Sequence, residues 1–297
     1  MTKIATIISF CSNDYRFLDK CIQSVVSFSE QIIIPICDHF YNGEPENYSL
    51  LQKIYASYPE IEFIEFAYST DQMYGTGARL IPQSPQWGHH WHNASRLTGS
   101  YFLNKDITWV LFVDADEIFE KDLRQLPFDE YDALRLSTYW YFQTGKKQAT
   151  VHPDSTLVIR KSKLKFTSPI NEHERLGLFF AVEGKKLRGF PLNDPPIVHH
   201  YSWVRSKEEL LKKTKTWGHH WERDWHKLID EMKDIDFVRG YKYKTVNPFW
   251  EPLELNLSIP PSTLSLAEHR KTTFPNVVRI APEAIARKEL KNMIENI

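Results

Sequence analysis

Four short apolar runs decide most of what this chain can fold into: IATIISF (residues 4–10), QIIIPIC (31–37), IEFIEF (61–66) and TWVLFV (108–113). Each is rich in β-branched or aromatic residues and nearly uninterrupted, the pattern of a strand buried on both faces. Segments of helical period lie between them. After the first run, Phe17, Leu18, Cys21, Ile22 and Val25 share one helical face, with Asn13 or Asp14 placed as N-cap. A second helix is expected near Tyr48, turning Leu51, Ile54 and Tyr55 inward. A long loop follows over 68–87, and HHWHNASRLTGSYFLN reads as a helix before the fourth run. This alternation predicts an α/β fold with a mostly parallel central sheet and helices on both faces. In such sheets ligands bind beyond the carboxyl ends of the strands. Here those ends read CSND (11–14), DHF (38–40) and DADE (114–117), so the site is expected along that edge.

The second half is less regular. DALRLSTYWYF (132–142), STLVIR (155–160) and IVHHYSW (197–203) read as strands, whereas SPINEHERLG (168–177) and LNDPP (192–196) read as turns. Ser206 and Glu209 form a capping-box pair. They open an expected long helix whose inner positions are Leu210, Thr214, Trp217, Trp221, Trp225, Leu228 and Met232. After Lys244 the chain is Pro-rich and extended, and a short helix is expected over 281–296. The pattern divides the chain into an α/β unit over 1–204 and a helical, Pro-rich extension over 205–297.

Charge is unevenly placed. Residues 1–155 carry 12 Lys+Arg against 20 Asp+Glu, net −8, and the remainder carries 25 against 18, net +7. The total is −1, so no overall basic field points to nucleic acid. Three cysteines, Cys11, Cys21 and Cys37, form neither a CxxC pair nor a disulfide framework, which points to a reducing compartment. No apolar run approaches the ~18 residues of a membrane span. A cytoplasmic protein is expected, with peripheral membrane contact through the basic residues Arg205, Lys207, Lys212, Lys213 and Lys215 as the alternative to a solvated helix face.

The fourth run ends in WVLFVDADEIFE, with Asp114, Asp116 and Glu117 within four positions. Residues two apart on extended backbone face the same side, so Asp114 and Asp116 present their carboxylates together, and Ala115 leaves room for a ligand. Hard oxygens of this kind suit Mg²⁺ or Mn²⁺ completed by substrate phosphates. The competing reading is an acidic turn capping the next element.

The order of these segments resembles a GT-A glycosyltransferase of the family 2 type. IATIISFCSNDYRFLDKCIQSV is similar to that family's opening strand, turn and helix, IIIPICD to its second strand, HNASR to its Asn/Arg-bearing helix, and FVDADE to its metal motif. NEHE and HHYSWVRSKEELLKK resemble the subset that includes bacterial lipopolysaccharide-core glucosyltransferases. The resemblance implies transfer of a sugar, with inversion, from a nucleotide diphosphate donor (a uridine diphosphate sugar by default) to a glycan or glycolipid hydroxyl. It assigns Phe10, Ser12, Asn13, Asp38, Asn93, Arg96 and Asp114 to the donor, and Asp114, Asp116 and a late histidine to Mn²⁺ or Mg²⁺. That histidine is His199 or His200, which point to opposite faces of a strand, so only one serves; the reading favours His200. The base that takes the acceptor's proton is assigned to Glu174, with Glu172 as the alternative. His173 and Trp203 fall on the acceptor side.

Two alternatives stand beside this reading. A nucleotidyltransferase shares the acidic α/β site, but SFCSNDYR lacks the Gly-rich phosphate loop. A non-catalytic glycan- or nucleotide-binding module is the other. His89, His90 and His92 invite a metal reading, yet the local sequence offers them no carboxylate, so they are expected to line the donor pocket. The Trp217/Trp221/Trp225 stripe is expected to be a packing seam.

Overall fold

The computed structural model describes residues 2–68, 85–165, 174–217, 219, 223–231, 237–238, 241–252 and 259–280. Among these the order is β1 (Ile4–Ser9), α1 (Tyr15–Val25), β2 (Gln31–Cys37), α2 (Tyr48–Ser57), β3 (Glu62–Phe66), α3 (Pro85–Ser100), β4 (Trp109–Asp114), β5 (Glu117–Phe119), β6 (Ala133–Phe142), β7 (Thr144–Ala149) and β8 (Asp154–Arg160). Then follow α4 (Glu174–Ala181), β9 (Lys186–Phe190), β10 (Val198–Trp203), α5 (Lys207–Thr216), α6 (Trp225–Glu231), β11 (Phe237–Val238), β12 (Tyr241–Thr245), α7 (Leu266–Lys271) and β13 (Val277–Ile280).

The four apolar runs form β1 to β4, and they lie side by side in the order β3-β2-β1-β4, all parallel. Their alternating residues explain why nearly every position is apolar. Ile4 and Ile8 of β1, with Trp109, Leu111 and Val113 of β4, join the core beneath α1 and α2. Ala5 and Ile7, with Val110 and Phe112, join a second core on the opposite face. Both faces are therefore covered, as the uninterrupted pattern requires. β8 runs antiparallel to β4 and β6 antiparallel to β8, and β9 and β10 lie parallel to β6. The architecture is a mixed α/β sheet with a mostly parallel centre.

α3 packs close to the sheet because of one residue. A Cβ at Gly99 would lie 2.8 Å from Ile7 Cγ2, so the helix that carries Asn93 and Arg96 can approach β1 only with glycine there.

Four sequence expectations change. The segment read as turn-rich becomes helix α4 from Glu174 onward; its earlier part, with Glu172 and His173, lies outside the described residues. The long helix after Ser206 keeps its capping box but stops at Thr216, and α6 begins anew at Trp225, where Asp224 Oδ1 accepts the Lys227 N–H at 3.0 Å. A continuous helix would set Trp217 and Trp225 about 12 Å apart along its axis, whereas their rings meet edge-on at 5.0 Å. Asp14 precedes α1 without a side-chain cap bond, because its carboxylate is engaged by Arg205. Finally, the Pro-rich C-terminal stretch leads to α7 and to β13, which pairs in parallel with β3 at the sheet edge. Buried His269 on α7 reaches buried Glu65 on β3 at 2.6 Å. The helix expected over 281–296 lies outside the described residues, as does 69–84 of the loop expected over 68–87, whose residues 85–87 instead open α3.

Candidate active site

A cavity of about 230 Å³ opens where the strand ends were expected to converge. Ser9, Phe10, Cys11, Asn13 and Asp14 line it after β1, Cys37, His39, Phe40 and Tyr41 after β2, and Asp114 and Asp116 after β4. Register places Ser9 directly beside Asp114 on the neighbouring strand. The far wall comes from the second half of the chain: Glu174 and Arg175 of α4, His200, Ser202 and Trp203 of β10, and Lys213, Thr216 and Trp217 at the end of α5.

The acids at the end of β4 are held by cations from α3, α4, α5 and the connection between β10 and α5. Asp114 Oδ1 accepts from Arg96 Nη2 at 3.2 Å, and Oδ2 from Arg175 Nη2 at 2.9 Å. Arg175 also donates to fully buried Glu117 at 2.6 and 3.0 Å, and Ser155 and Thr156 complete that carboxylate. Asp116 Oδ2 meets Lys213 Nζ at 2.8 Å and Arg205 Nη2 at 3.3 Å, while Oδ1 faces His200 Nε2 at 3.3 Å. Arg205 and Lys213 thus turn inward from the basic run read as a solvated or membrane-facing surface.

These contacts separate the carboxyls in acidity. Burial alone would raise Asp116, but Lys213, His200 and Arg205 hold it well below the ordinary range. Burial likewise opposes ionisation of Glu117, and Arg175, His200 and Ser155 still pull it down. At Asp114 burial wins over Arg175 and Arg96, with Glu117 and Asp116 adding repulsion, so its pKa rises.

The strand histidines separate as alternation demands. His200 faces the cavity and Asp116, whereas buried His199 stacks on Tyr141 and Phe249 and hydrogen-bonds the Tyr141 hydroxyl at 2.8 Å. Glu174 reaches the cavity, and its Oε2 lies 3.5 Å from the same Arg96 that binds Asp114. Burial would raise the Glu174 carboxyl, but His92, His219 and His89 hold it well below its usual value. Of the other residues assigned to the donor, Phe10 and Asn13 line the cavity, with Asn13 bonding Thr216. Ser12 is buried, its N–H directed to Glu46 at 3.2 Å. Asp38 is buried behind the wall and accepts from the Tyr68 N–H at 2.8 Å and Arg270 at 2.6 Å. Asn93 is buried on α3.

Sequence reasoning passed over Glu46, Arg175 and the partnership of Arg205 and Lys213 with Asp116. For Arg175 a signal existed, since it follows the His-Glu pair directly. For Glu46 the turn GEPEN gave none, because only folding buries it against Ser12.

Compared by sequence, the chain matches no protein-family model and no curated protein. Compared by fold, it is similar to the apo form of the glycosyltransferase GlyE of Streptococcus pneumoniae, at 14% identity over 78% of this chain and 63% of that one, TM-score 0.35. It is also similar to galactosyltransferase LgtC in complex with donor and acceptor sugar analogues, at 11% identity over 78% and 97%, TM-score 0.39. The inositol-1-phosphate CTP transferase of T. maritima is a third likeness, at 9% over 78% and 97%, TM-score 0.40. The chain spans just under two thirds of the pneumococcal protein. At these scores the likenesses carry no argument about chemistry, which rests on the residues themselves. No helix among the described residues is long and apolar enough to cross a membrane.

Proposed function

We propose that this chain is an inverting glycosyltransferase that moves a sugar from a nucleotide diphosphate donor, a uridine diphosphate sugar by default, to a glycan or glycolipid hydroxyl. The observation that carries the reading is the meeting of Asp114 and Asp116 with Arg96, Arg175, Arg205 and Lys213 at the carboxyl end of a parallel sheet, in a cavity with aromatic walls. A diphosphate needs positive partners: Arg175 and Lys213 line the cavity, while fully buried Arg96 and Arg205 hold the two carboxylates from behind. A sugar ring stacks on aromatic faces, and Trp140, Trp203 and Trp217 line the same space.

The donor set suits a divalent ion. Asp116 Oδ1 and His200 Nε2 face one another, and Asp114 keeps a 28% exposed side chain toward the cavity, a hard-oxygen and imidazole set of the kind Mn²⁺ accepts. Asp114, Asp116 and His200 would hold the ion; His199 is directed to Tyr141 and Phe249, which supports His200 over it. When bound, it supplies charge neutralisation to the departing diphosphate. Arg96 and Arg175 fix the Asp114 carboxylate, and Lys213 and Arg205 fix that of Asp116. Glu174, ionised at neutral pH, is our candidate for the base that takes the proton of the acceptor hydroxyl as it attacks the anomeric carbon. Glu172 stays an alternative of the same kind. In this reading the protein works in the cytoplasm, with peripheral contact to a membrane where its acceptor is lipid-linked.

A thermal-shift panel of nucleotide sugars with and without Mn²⁺ tests the proposal. A ligand at 100 times its dissociation constant adds ~2.7 kcal/mol to the folded state. One nucleotide diphosphate sugar should raise Tm only with metal, and Asp116→Asn should remove that shift. Absence of a shift with every nucleotide sugar under both conditions overturns the reading. Stabilisation by nucleoside triphosphates alone, with pyrophosphate released from a sugar phosphate mixture, overturns it in favour of nucleotidyl transfer.

A further inference from the structure

Three imidazoles from two parts of the chain converge on one carboxylate oxygen. Glu174 Oε1 lies 2.9 Å from His219 Nε2, 3.6 Å from His89 Nδ1 and 3.9 Å from His92 Nε2. His89 and His92 are three residues apart on α3 and so share a helix face. The sequence offered this pair no acid; the fold brings one from α4. The coordinating atoms of His89, Glu174 and His219 all lie within 4.8 Å of one another, and these are the residues that form such a group among those described.

The spacing matches a coordination shell. Ligands around a tetrahedral ion with bonds of about 2.0–2.1 Å sit roughly 3.4 Å from one another; the His219 and His89 distances to Glu174 Oε1 bracket that value, and His92 Nε2 stands just outside the group. Both ring nitrogens of His92 are buried and hydrogen-bond to no protein group among the described residues, which is costly unless something else satisfies them. Glu174 is held at φ +46°, in the left-handed region that residues other than glycine seldom adopt. That backbone conformation opens α4 and carries the carboxylate between the imidazoles. Arg96 Nη2 stands 3.5 Å from Oε2, an outer partner that orients the carboxylate and leaves Oε1 to the histidines.

We propose that His89, Glu174 and His219 form a transition-metal site that takes Zn²⁺ or a cation of similar softness, with neighbouring His92 drawn in as the fourth ligand when the ion binds. Three imidazoles and one carboxylate favour such ions over Mg²⁺ or Ca²⁺, so the site differs in chemistry from the oxygen-rich pair Asp114 and Asp116. The inference does not rest on the proposed transfer reaction. The two do interact, because Glu174 cannot hold an ion through Oε1 and accept a proton there at the same time. A loaded site is therefore an inhibited one if Glu174 is the base.

The test uses the full chain without a polyhistidine tag, stripped with a chelator and titrated with Zn²⁺ by calorimetry and with Co²⁺ by visible absorption. Wild type should take one equivalent of Zn²⁺ and give the intense visible bands of tetrahedral Co²⁺. His219→Ala and His92→Ala should each weaken Zn²⁺ binding by at least about tenfold, the least that loss of a supporting group costs, while Asp116→Asn leaves it unchanged. Circular dichroism checks folding. Should His92→Ala fail to fold, His219→Ala carries the test, since its side chain is 28% exposed and lies outside the helices. Wild type that binds no Zn²⁺, or His219→Ala that binds it as tightly, overturns the proposal. Loss of binding in Asp116→Asn alone assigns the ion to the carboxylate pair and overturns it equally.

Discussion

Replacing Glu46 with Gln isolates a single buried carboxyl in the cavity wall and makes its energetic effect measurable. Glu46 is 2% exposed. Burial pushes its pKa from the ordinary 4.5 up to about 7, against hydrogen bonds from Ser12 and the Asn47 N–H and the charge of Lys212. A folded pKa above the unfolded one means that the native state binds the proton more tightly. The resulting stability is complete below the unfolded pKa and is lost as pH rises through the folded one. The window therefore runs from about 4.5 to about 7, flat on either side. At 1.36 kcal/mol per unit, a difference of 7 − 4.5 corresponds to about 3 kcal/mol. Urea unfolding of wild type and Glu46→Gln in parallel cancels every other titrating group. The stability difference, wild type minus variant, should fall by about 3 kcal/mol between about pH 4.5 and pH 8. A difference that stays constant within about 0.5 kcal/mol across that range refutes the reasoning, as does one that rises with pH.

Arg175→Ala strips fully buried Glu117 of its guanidinium and should destabilise the protein by about 3–5 kcal/mol in chemical denaturation, the cost of an uncompensated buried charge. Gly99→Val drives a branched side chain into Ile7, where even a Cβ comes within 2.8 Å. It should cost about 1–3 kcal/mol by the same measurement and, by displacing Arg96, weaken donor binding as well. Among the described residues, His269→Ala leaves Glu65, with a 3% exposed side chain, to Tyr55 and Arg279. It should release the C-terminal segment to limited proteolysis at protease concentrations that spare the wild type.

The parallel centre of the fold was legible because burial on both faces writes itself into a strand as an unbroken apolar run. Gln31–Cys37 emerges with the bounds of its apolar run, and the second helix starts at Tyr48 as expected, with Leu51, Ile54 and Tyr55 buried. The second half was less legible for the opposite reason. β7, with the sequence TGKKQA, is polar on much of its surface and is a strand because β6 and β12 flank it. Four-residue β13 carries no period long enough to read, and it exists by adding to the edge of β3. The break between α5 and α6 was hidden because Trp217 and Trp225 suit a helical stripe; tertiary contact between the two rings prevails over helix continuity. In the site, Asp114 and Asp116 were visible as a local pattern. Their pairing with Arg96, Arg175, Arg205 and Lys213 was not, because those cations come from distant segments and only folding brings them to the acids. The same distance concealed Glu174 from the histidines of α3.

The uneven charge of the chain acquires a physical meaning at this site. Asp14, Asp114, Asp116 and Glu117 all come from the acidic half, whereas Arg175, Arg205 and Lys213 come from the basic half and only Arg96 from the first. These four carboxylates, with Glu174 sharing Arg96 as a fifth, face four cations, so most of the acidic charge is compensated as folded and the repulsion implied by the DADE sequence is largely resolved within the protein itself. That compensation bears on how the proposed substrates would enter. A divalent cation alone must compete with Lys213 and the guanidiniums for carboxylate oxygens. A diphosphate alone must draw those same cations away from the acids. Arriving together they add no net charge, and each carboxylate–cation pair that opens finds a partner of the right sign in the incoming pair. Metal and donor should accordingly bind weakly when separate and tightly when joined, with each raising the other's affinity by the same factor, since binding linkage is reciprocal.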